Sequence, residues 1–163
     1  LKAYLRNGKF IEGYKGQGMK LTAKDTYLEV EGLTTPEDKF TLSFWLRVDK
    51  SKEATILVDD RFSHPGARLR GYTVWAFYYR GSANADHDIR KSGGEAGKWV
   101  HMTLTYDDKV SVFMNGKLVK WTPKSEITRT AYLSTIRLFK DMDATVDEVR
   151  LFNKALDVGD TDV

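Results

Sequence analysis

Two adjacent carboxylates, Asp147 and Glu148, lie inside the strand-like run TVDEVRLFNKAL at positions 145–156. Paired acids can serve as general acid and base, as ligands for a hard cation, or as structural acceptors. Strand geometry discriminates among these roles. Successive side chains point to opposite faces, so alternation puts Asp147 with Val149 and Leu151, and Glu148 with Arg150. Glycoside hydrolysis needs two carboxyl groups ~5–10 Å apart across one cleft. Neighbours on one strand do not provide that. Glu148 and Arg150 are expected to pair at i, i+2. Asp147, directed into apolar company, needs backbone N–H groups, a cationic side chain or a bound cation.

A calcium ion takes six to eight oxygens, several from carboxylates and carbonyls. Asp147 with Asp143 or Asp141, from KDMDATVDE, could supply some of them. The stretch is not an EF-hand, because Val146 stands where that loop needs glycine. Other catalytic sets are poorly represented. Glu29 and Glu31 in LEVEGL share a strand face without a third acid and are expected to be solvated. His64, His87 and His101 have no ligand spacing for a transition metal, and no Gly-x-Ser-x-Gly marks a nucleophile.

Sugar recognition uses aromatic faces against C–H groups, and planar polar side chains that fork onto hydroxyls. GYTVWAFYYRG puts Trp75, Phe77 and Tyr79 on one strand face and Tyr72, Val74, Ala76 and Tyr78 on the other. One set must face the core, and the tendency to bury large apolar groups favours the Trp75 set. The other set then faces solvent or a groove. Trp121, after a hairpin, is a further platform candidate. Two polar segments, DDRFSHPGARLRG (59–71) and RGSANADHDIRKSGGEAGK (80–98), are predicted loops long enough to carry function. Their binding candidates are Asp60, Arg61, His64, Arg68, Arg70, Asp86, His87, Asp88 and Arg90. The binding set named here is Asp60, Arg61, Arg70, Trp75, Tyr79, His87, Asp88 and Trp121, with Asp147 and Asp143 for a metal.

The elements that must position these residues are strands. FTLSFWLRV (40–48) alternates Phe40, Leu42, Phe44, Leu46 and Val48 against Thr41, Ser43, Trp45 and Arg47. WVHMTLTY (99–106) sets Val100, Met102, Leu104 and Tyr106 against Trp99, His101, Thr103 and Thr105. In VSVFMNGKLVKW, Asn115-Gly116 predicts a two-residue hairpin, since both central residues of a type I′ turn need positive φ. Further strands are predicted near 19–22, 26–31, 54–58, 71–79, 134–139 and 145–153, and KALDVGDTDV at the end could form a helical turn.

The chain has 163 residues, 12% of them aromatic, a formal net charge of +3 and no cysteine. Many short strands with frequent turns imply an all-β sandwich. Absence of cysteine excludes disulfides and thiolate metal sites. The mild, dispersed basic charge argues against nucleic acid but allows weak attraction to an acidic polysaccharide. No apolar run approaches the ~20 residues of a membrane-spanning helix. A start at Leu1 predicts a piece excised from a larger multidomain protein.

FTLSFWLRVD, GKWVHMTLTYDDKVSVFMNGKLV and TVDEVRLFNKALD, in that order, resemble the laminin-G-like, concanavalin A-like jelly rolls, over roughly residues 16–157. The likeness is greatest to the bacterial branch attached to polysaccharide-degrading enzymes and adhesins. It implies a two-sheet antiparallel jelly-roll sandwich, one domain over 1–163, with a shallow concave face. Such members usually begin with a strand upstream of GYKGQGMKL, so that strand is expected to be missing or altered here. The resemblance also implies a structural calcium near the sandwich edge, with Asp147 taking part. Leu21-Thr22-Ala23 stands where the family often has Phe-Asp-Gly. The related glucanases carry Glu-x-Asp-x-x-Glu on one strand, which is absent here. His101 stands where the family commonly has histidine, and packing is its expected role.

The expected function is a non-catalytic carbohydrate-binding module of a secreted or surface protein, holding it on a polysaccharide or glycan. The expected partners are that glycan and the catalytic or other domains of the parent, with no nucleic acid and no membrane insertion. The alternatives are a protein-binding adhesion domain of the same fold and a structural domain packed on a catalytic neighbour.

Overall fold

The computed structural model describes residues 2–22, 24–32, 39–58, 66–77, 89–92, 94–107, 109–123 and 135–157. Among them the chain forms two seven-stranded sheets and no helix. The first sheet is ordered β1 (Lys2–Arg6), β4 (Tyr27–Glu31), β13 (Thr135–Lys140), β6 (Glu53–Val58), β7 (Gly66–Arg70), β8 (Thr73–Phe77) and β9 (Ile89–Ser92). The second is ordered β12 (Lys117–Pro123), β11 (Lys109–Met114), β10 (Trp99–Tyr106), β5 (Phe40–Lys50), β14 (Asp143–Phe152), β3 (Gln17–Thr22) and β2 (Lys9–Glu12). Neighbours in both sheets run antiparallel. This is the all-β sandwich that the alternation implies, in the jelly-roll form that the family resemblance implies.

The core lies where the apolar positions of the two sheets meet. Leu28, Val30, Leu57, Leu69, Ile136 and Leu138 come from the first sheet; Leu42, Phe44, Leu46, Met102, Leu104, Val112 and Val146 come from the second. Phe44 meets Phe139 edge-on with ring centroids 4.9 Å apart, and Phe40 stacks on Tyr106 at 4.5 Å. Asn115 and Gly116 both have positive φ, 49° and 74°, and Met114 pairs with Lys117 across them. That is the two-residue hairpin the sequence predicts.

Several sequence expectations change. The first strand is present: β1 pairs with β4 from Lys2 opposite Glu31 to Arg6 opposite Tyr27. Its side chains are mostly exposed, so no apolar pattern announced it. Parts of both predicted loops are strands: β7 carries Ala67 and Leu69 into the core, and β9 pairs with β8. Val74 on β8 is buried in the core, and Tyr72, just before that strand, packs against it. In the backbone register Trp75 stands opposite Arg68 and Arg90. Near the C-terminus, residues 154–157 form no helical turn. Thr41 Oγ1 donates to the Lys154 carbonyl and accepts the Leu156 N–H, both at 2.9 Å, fixing this stretch against β5.

Candidate functional site

The second sheet turns the other faces of β5, β10 and β14 away from the core. Register aligns these strands so that Trp45 stands between His101 and Asp147. One step along, Arg47 stands between Trp99 and Thr145; on the other side, Ser43 stands between Thr103 and Arg150. Two tryptophans on a polar strand face call for a cover or a ligand, because that much apolar surface is rarely left fully in water.

The cover comes from the turn between β2 and β3. There the Gly13 N–H donates to the Gly16 carbonyl at 3.0 Å, and Gly16 takes φ 72°. The turn lays Tyr14 over Trp45, with centroids 3.7 Å apart and planes inclined by 14°. Trp99 meets Tyr14 edge-on at 5.9 Å, and Arg47 lies over Trp99 at 5.1 Å. Tyr14 remains 49% exposed, so one aromatic face is stacked and the rest of the ring meets solvent.

Asp147 organises this arrangement. Its Oδ2 accepts the Lys15 N–H at 2.8 Å, and its Oδ1 accepts the Glu148 N–H at 2.7 Å. The first bond pins the Tyr14 turn to the sheet. The second supports a bulge: β14 advances three residues, from Asp147 to Arg150, while β5 moves two, from Trp45 to Ser43. Glu148 adopts φ 48° there. The turn must have glycine at position 13, because a β-carbon would collide with Asp147 Oδ2 and stand 2.6 Å from the Gly18 nitrogen.

The bulge corrects the alternation drawn from sequence. Asp147 faces away from the core, beside Trp45, and is buried by the turn above it. The extra residue restores the inward direction at Val149 and Leu151, which pack on the core. Glu148 and Arg150 both line the cleft and form an ion pair at 2.8 Å.

The cleft measures about 260 Å³ and is lined by Tyr14, Lys15, Ser43, Trp45, His101, Glu148 and Arg150. His101 Nε2 lies 2.9 Å from Ser43 Oγ, while its Nδ1 is buried with no hydrogen-bond partner. Burial, and then the charge of Arg150, hold the His101 pKa below its ordinary value, favouring the neutral ring. A serine beside a histidine invites a nucleophile assignment. Yet Ser43 is buried mid-strand, and no acid orients His101 through Nδ1. Both oxygens of Asp147 are held by N–H groups and Glu148 is paired with Arg150, so these acids are not arranged as an acid–base pair.

The other predicted site residues fall elsewhere. Asp60, Arg61, Tyr79, His87 and Asp88 lie outside the described residues. Arg70 is exposed at the end of β7, opposite Glu53. Trp121 pairs in register with Ser111 on β12. Asp143 is on the same strand as Asp147 but four residues away, ~13 Å along it, and its carboxylate pairs with Lys20 at 3.3 Å. The Lys20 ammonium also binds Asp49, which Arg47 approaches at 3.4 Å. Asp141 accepts the Asp25 N–H at 2.7 Å. Asp141, Asp143 and Asp147 are thus each engaged by N–H groups or cationic side chains. Among the described residues no three His, Cys, Asp or Glu side chains group as metal ligands.

Tyr14, Trp45 and Trp99 were not among the site residues picked from sequence. Alternation places Trp45 and Trp99 on the polar faces of their strands, which is the available signal. Tyr14 carried only its place between two glycines in EGYKGQG; its stacking depends on the Asp147 contact 132 positions away.

The profile of the concanavalin A-like lectin/glucanases superfamily matches residues 22–160. No curated protein matches the chain in sequence. Among solved structures, the chain is similar to a botulinum neurotoxin type C described in terms of cell entry dependent on two ganglioside molecules. Their TM-score is 0.79 at 16% identity, covering 98% of this chain and 44% of the other. The botulinum neurotoxin DC binding domain solved with SialylT gives 0.78 at 19% identity, covering 98% and 45%. The same domain solved with rat synaptotagmin II gives 0.76 at 18%, again covering 98% and 45%. This chain thus spans less than half of those solved chains, and at such identities the likeness concerns the fold. With the family match running over most of its length, the chain belongs to the concanavalin A-like lectin/glucanases superfamily.

Proposed function

We propose that this chain is a non-catalytic carbohydrate-binding domain, and that the cleft beside Tyr14 is its binding site. The observation that carries this reading is the Tyr14–Trp45 stack: a half-exposed aromatic ring, backed by a second ring, beside Lys15, Glu148 and Arg150. A sugar can lay its C–H face on Tyr14 and direct hydroxyls to the charged rim. The neurotoxin domains that share the fold are described with gangliosides, SialylT and synaptotagmin, which is consistent with a binding role. The parent is proposed to be a secreted or surface protein held on a polysaccharide or glycan, where its other modules raise a weak affinity through avidity. A structural calcium near the sandwich edge belongs to this proposal and is tested by chelation. The second reading is protein adhesion, favoured by Phe10, which is 62% exposed on edge strand β2.

A glycan array on the chain, run with calcium and with a chelator, tests the assignment. Binding to a defined glycan is expected, with loss in Tyr14→Ala and Trp99→Ala variants that keep the wild-type far-ultraviolet spectrum. Binding lost only in Trp75→Ala or Trp121→Ala would move the site to the platforms picked from sequence. No binding to plant, algal, microbial or host glycans would favour protein adhesion. Loss with chelator would support a bound calcium.

A further inference from the structure

We propose that the cleft selects glycans bearing a carboxylate, with the sugar ring on Tyr14 and its acid group drawn to Lys15 and Arg150. This rests on the carbohydrate-binding reading and specifies its ligand class. Among the lining residues, the cations are Lys15 and Arg150 and the anion is Glu148. Their exposure is unequal. Lys15 and Arg150 are exposed, whereas Glu148 is half-buried and already engaged with Arg150. Asp147 adds a second negative charge nearby. However, it is only 6% exposed, lies beneath the turn, and directs both oxygens to backbone N–H groups. Of the charged groups lining the cleft, the two cations are thus more exposed than Glu148.

The rest of that face does not reverse this balance. Arg47 lies over Trp99 and pairs with Asp49, while Lys20 bridges Asp49 and Asp143. His101 senses the same sign. After burial, the charge lowering its pKa is that of Arg150, whose guanidinium lies near enough to act on the ring. The aromatic platform distinguishes this site from a plain basic patch: an acidic sugar gains both ring contact and charge-assisted hydrogen bonds, which are about twice as strong as neutral ones.

The test compares each acidic oligosaccharide with its neutral twin by calorimetry. The probes are oligogalacturonate, oligomannuronate, hyaluronan fragments and sialyllactose, each against its methyl ester, with polyglutamate as a sugar-free polyanion. At least one acid should bind about tenfold more tightly than its ester, with affinity falling as salt rises. Lys15→Gln should cut that preference severalfold and Arg150→Gln should bring it close to one, with thermal melts checking that both variants fold. Tyr14→Ala should abolish acid and ester binding together. Equal binding of acids and esters would overturn the selectivity and leave the carbohydrate reading standing. Polyglutamate binding as tightly as the sugars, and insensitive to Tyr14→Ala, would overturn it in favour of unspecific charge attraction. Failure of every glycan, acidic or neutral, would overturn both readings.

Discussion

Asp147 and Glu29 are both carboxylates nearly buried on strand faces that turn away from the core, at 6% and 8% exposure. Their partners differ in kind. Asp147 accepts two main-chain N–H groups, one from a turn and one from its own bulge. Glu29 accepts side chains: Arg6 at 2.6 and 3.1 Å through Oε1, and Arg137 at 3.5 Å through Oε2. These arginines lie over Tyr4 and Tyr27, at 4.9 and 5.1 Å from the ring centroids. An acid that binds backbone sets the path of the chain. An acid that binds arginines ties finished strands together, and its partners can return to water if it is removed. The difference explains why one carboxylate underlies the aromatic cleft while the other spans β1, β4 and β13.

The strongest way to break this contrast is Asp147→Ala. It leaves the Lys15 and Glu148 N–H groups without their acceptor, at about 1–3 kcal/mol for each one that stays buried. Urea unfolding should show a loss of ~2–5 kcal/mol. The Tyr14 turn should lift, changing tryptophan fluorescence and abolishing ligand binding. If the variant unfolds outright, Asp147→Asn provides the milder test, keeping one carbonyl acceptor. Wild-type stability in both would refute the organising role. Gly13→Ala comes next. Its methyl group competes for the space of Asp147 Oδ2 and the Gly18 backbone, so the turn must move. A loss of ~1–3 kcal/mol and weakened binding are expected, by the usual cost of overpacking. An unchanged urea midpoint would show that the turn is looser than the Asp147 contacts imply.

The sequence made much of this fold legible because β5 and β10 alternate cleanly and Asn115-Gly116 demands positive φ. It left the cleft illegible for a physical reason. Strict alternation sent Asp147 inward, and only the bulge, stabilised by the residue's own Oδ1, reverses that. Nothing in TVDEVRLF announces an extra residue, since its consequence appears only against the two-step advance of β5. β1 was similarly silent, because an exposed edge strand has no apolar face to repeat. Tyr14 needed a tertiary contact to become a platform. The polar-face positions of Trp45 and Trp99 are readable, and both lie on the sheet that carries the cleft.

His101 offers a smaller test on the Asp147 side of the comparison. Its folded pKa is lowered from 6.5, so between the folded value and 6.5 the unfolded chain binds more protons. Stability should therefore fall as pH drops below 6.5 and level off below the folded pKa. Urea midpoints measured from about pH 7.5 to 5.5, before most carboxylates titrate, isolate this step. His101→Gln should remove it. A flat wild-type profile would mean that the ring meets water or a counter-charge more freely than its burial beside Arg150 suggests.

Glu29 gives the smallest effect, and the one that separates side-chain from backbone partners most directly. The hydrogen bond from Arg6 holds its carboxyl below the ordinary value of 4.5, against the opposing effect of burial. A depressed folded pKa stabilises above the unfolded value, and that contribution disappears as pH falls through the folded value. Glu29→Gln should lower stability near neutrality by a modest amount. The gap from wild type should narrow on acidification below about pH 4.5, since glutamine has no charge to lose. Arg6→Ala should flatten the same limb by returning the Glu29 pKa toward its ordinary value. A gap that stays constant down to pH 2 would show that packing, rather than the arginine pair, carries the contribution of Glu29. The two carboxylates would then be more alike than their partners indicate.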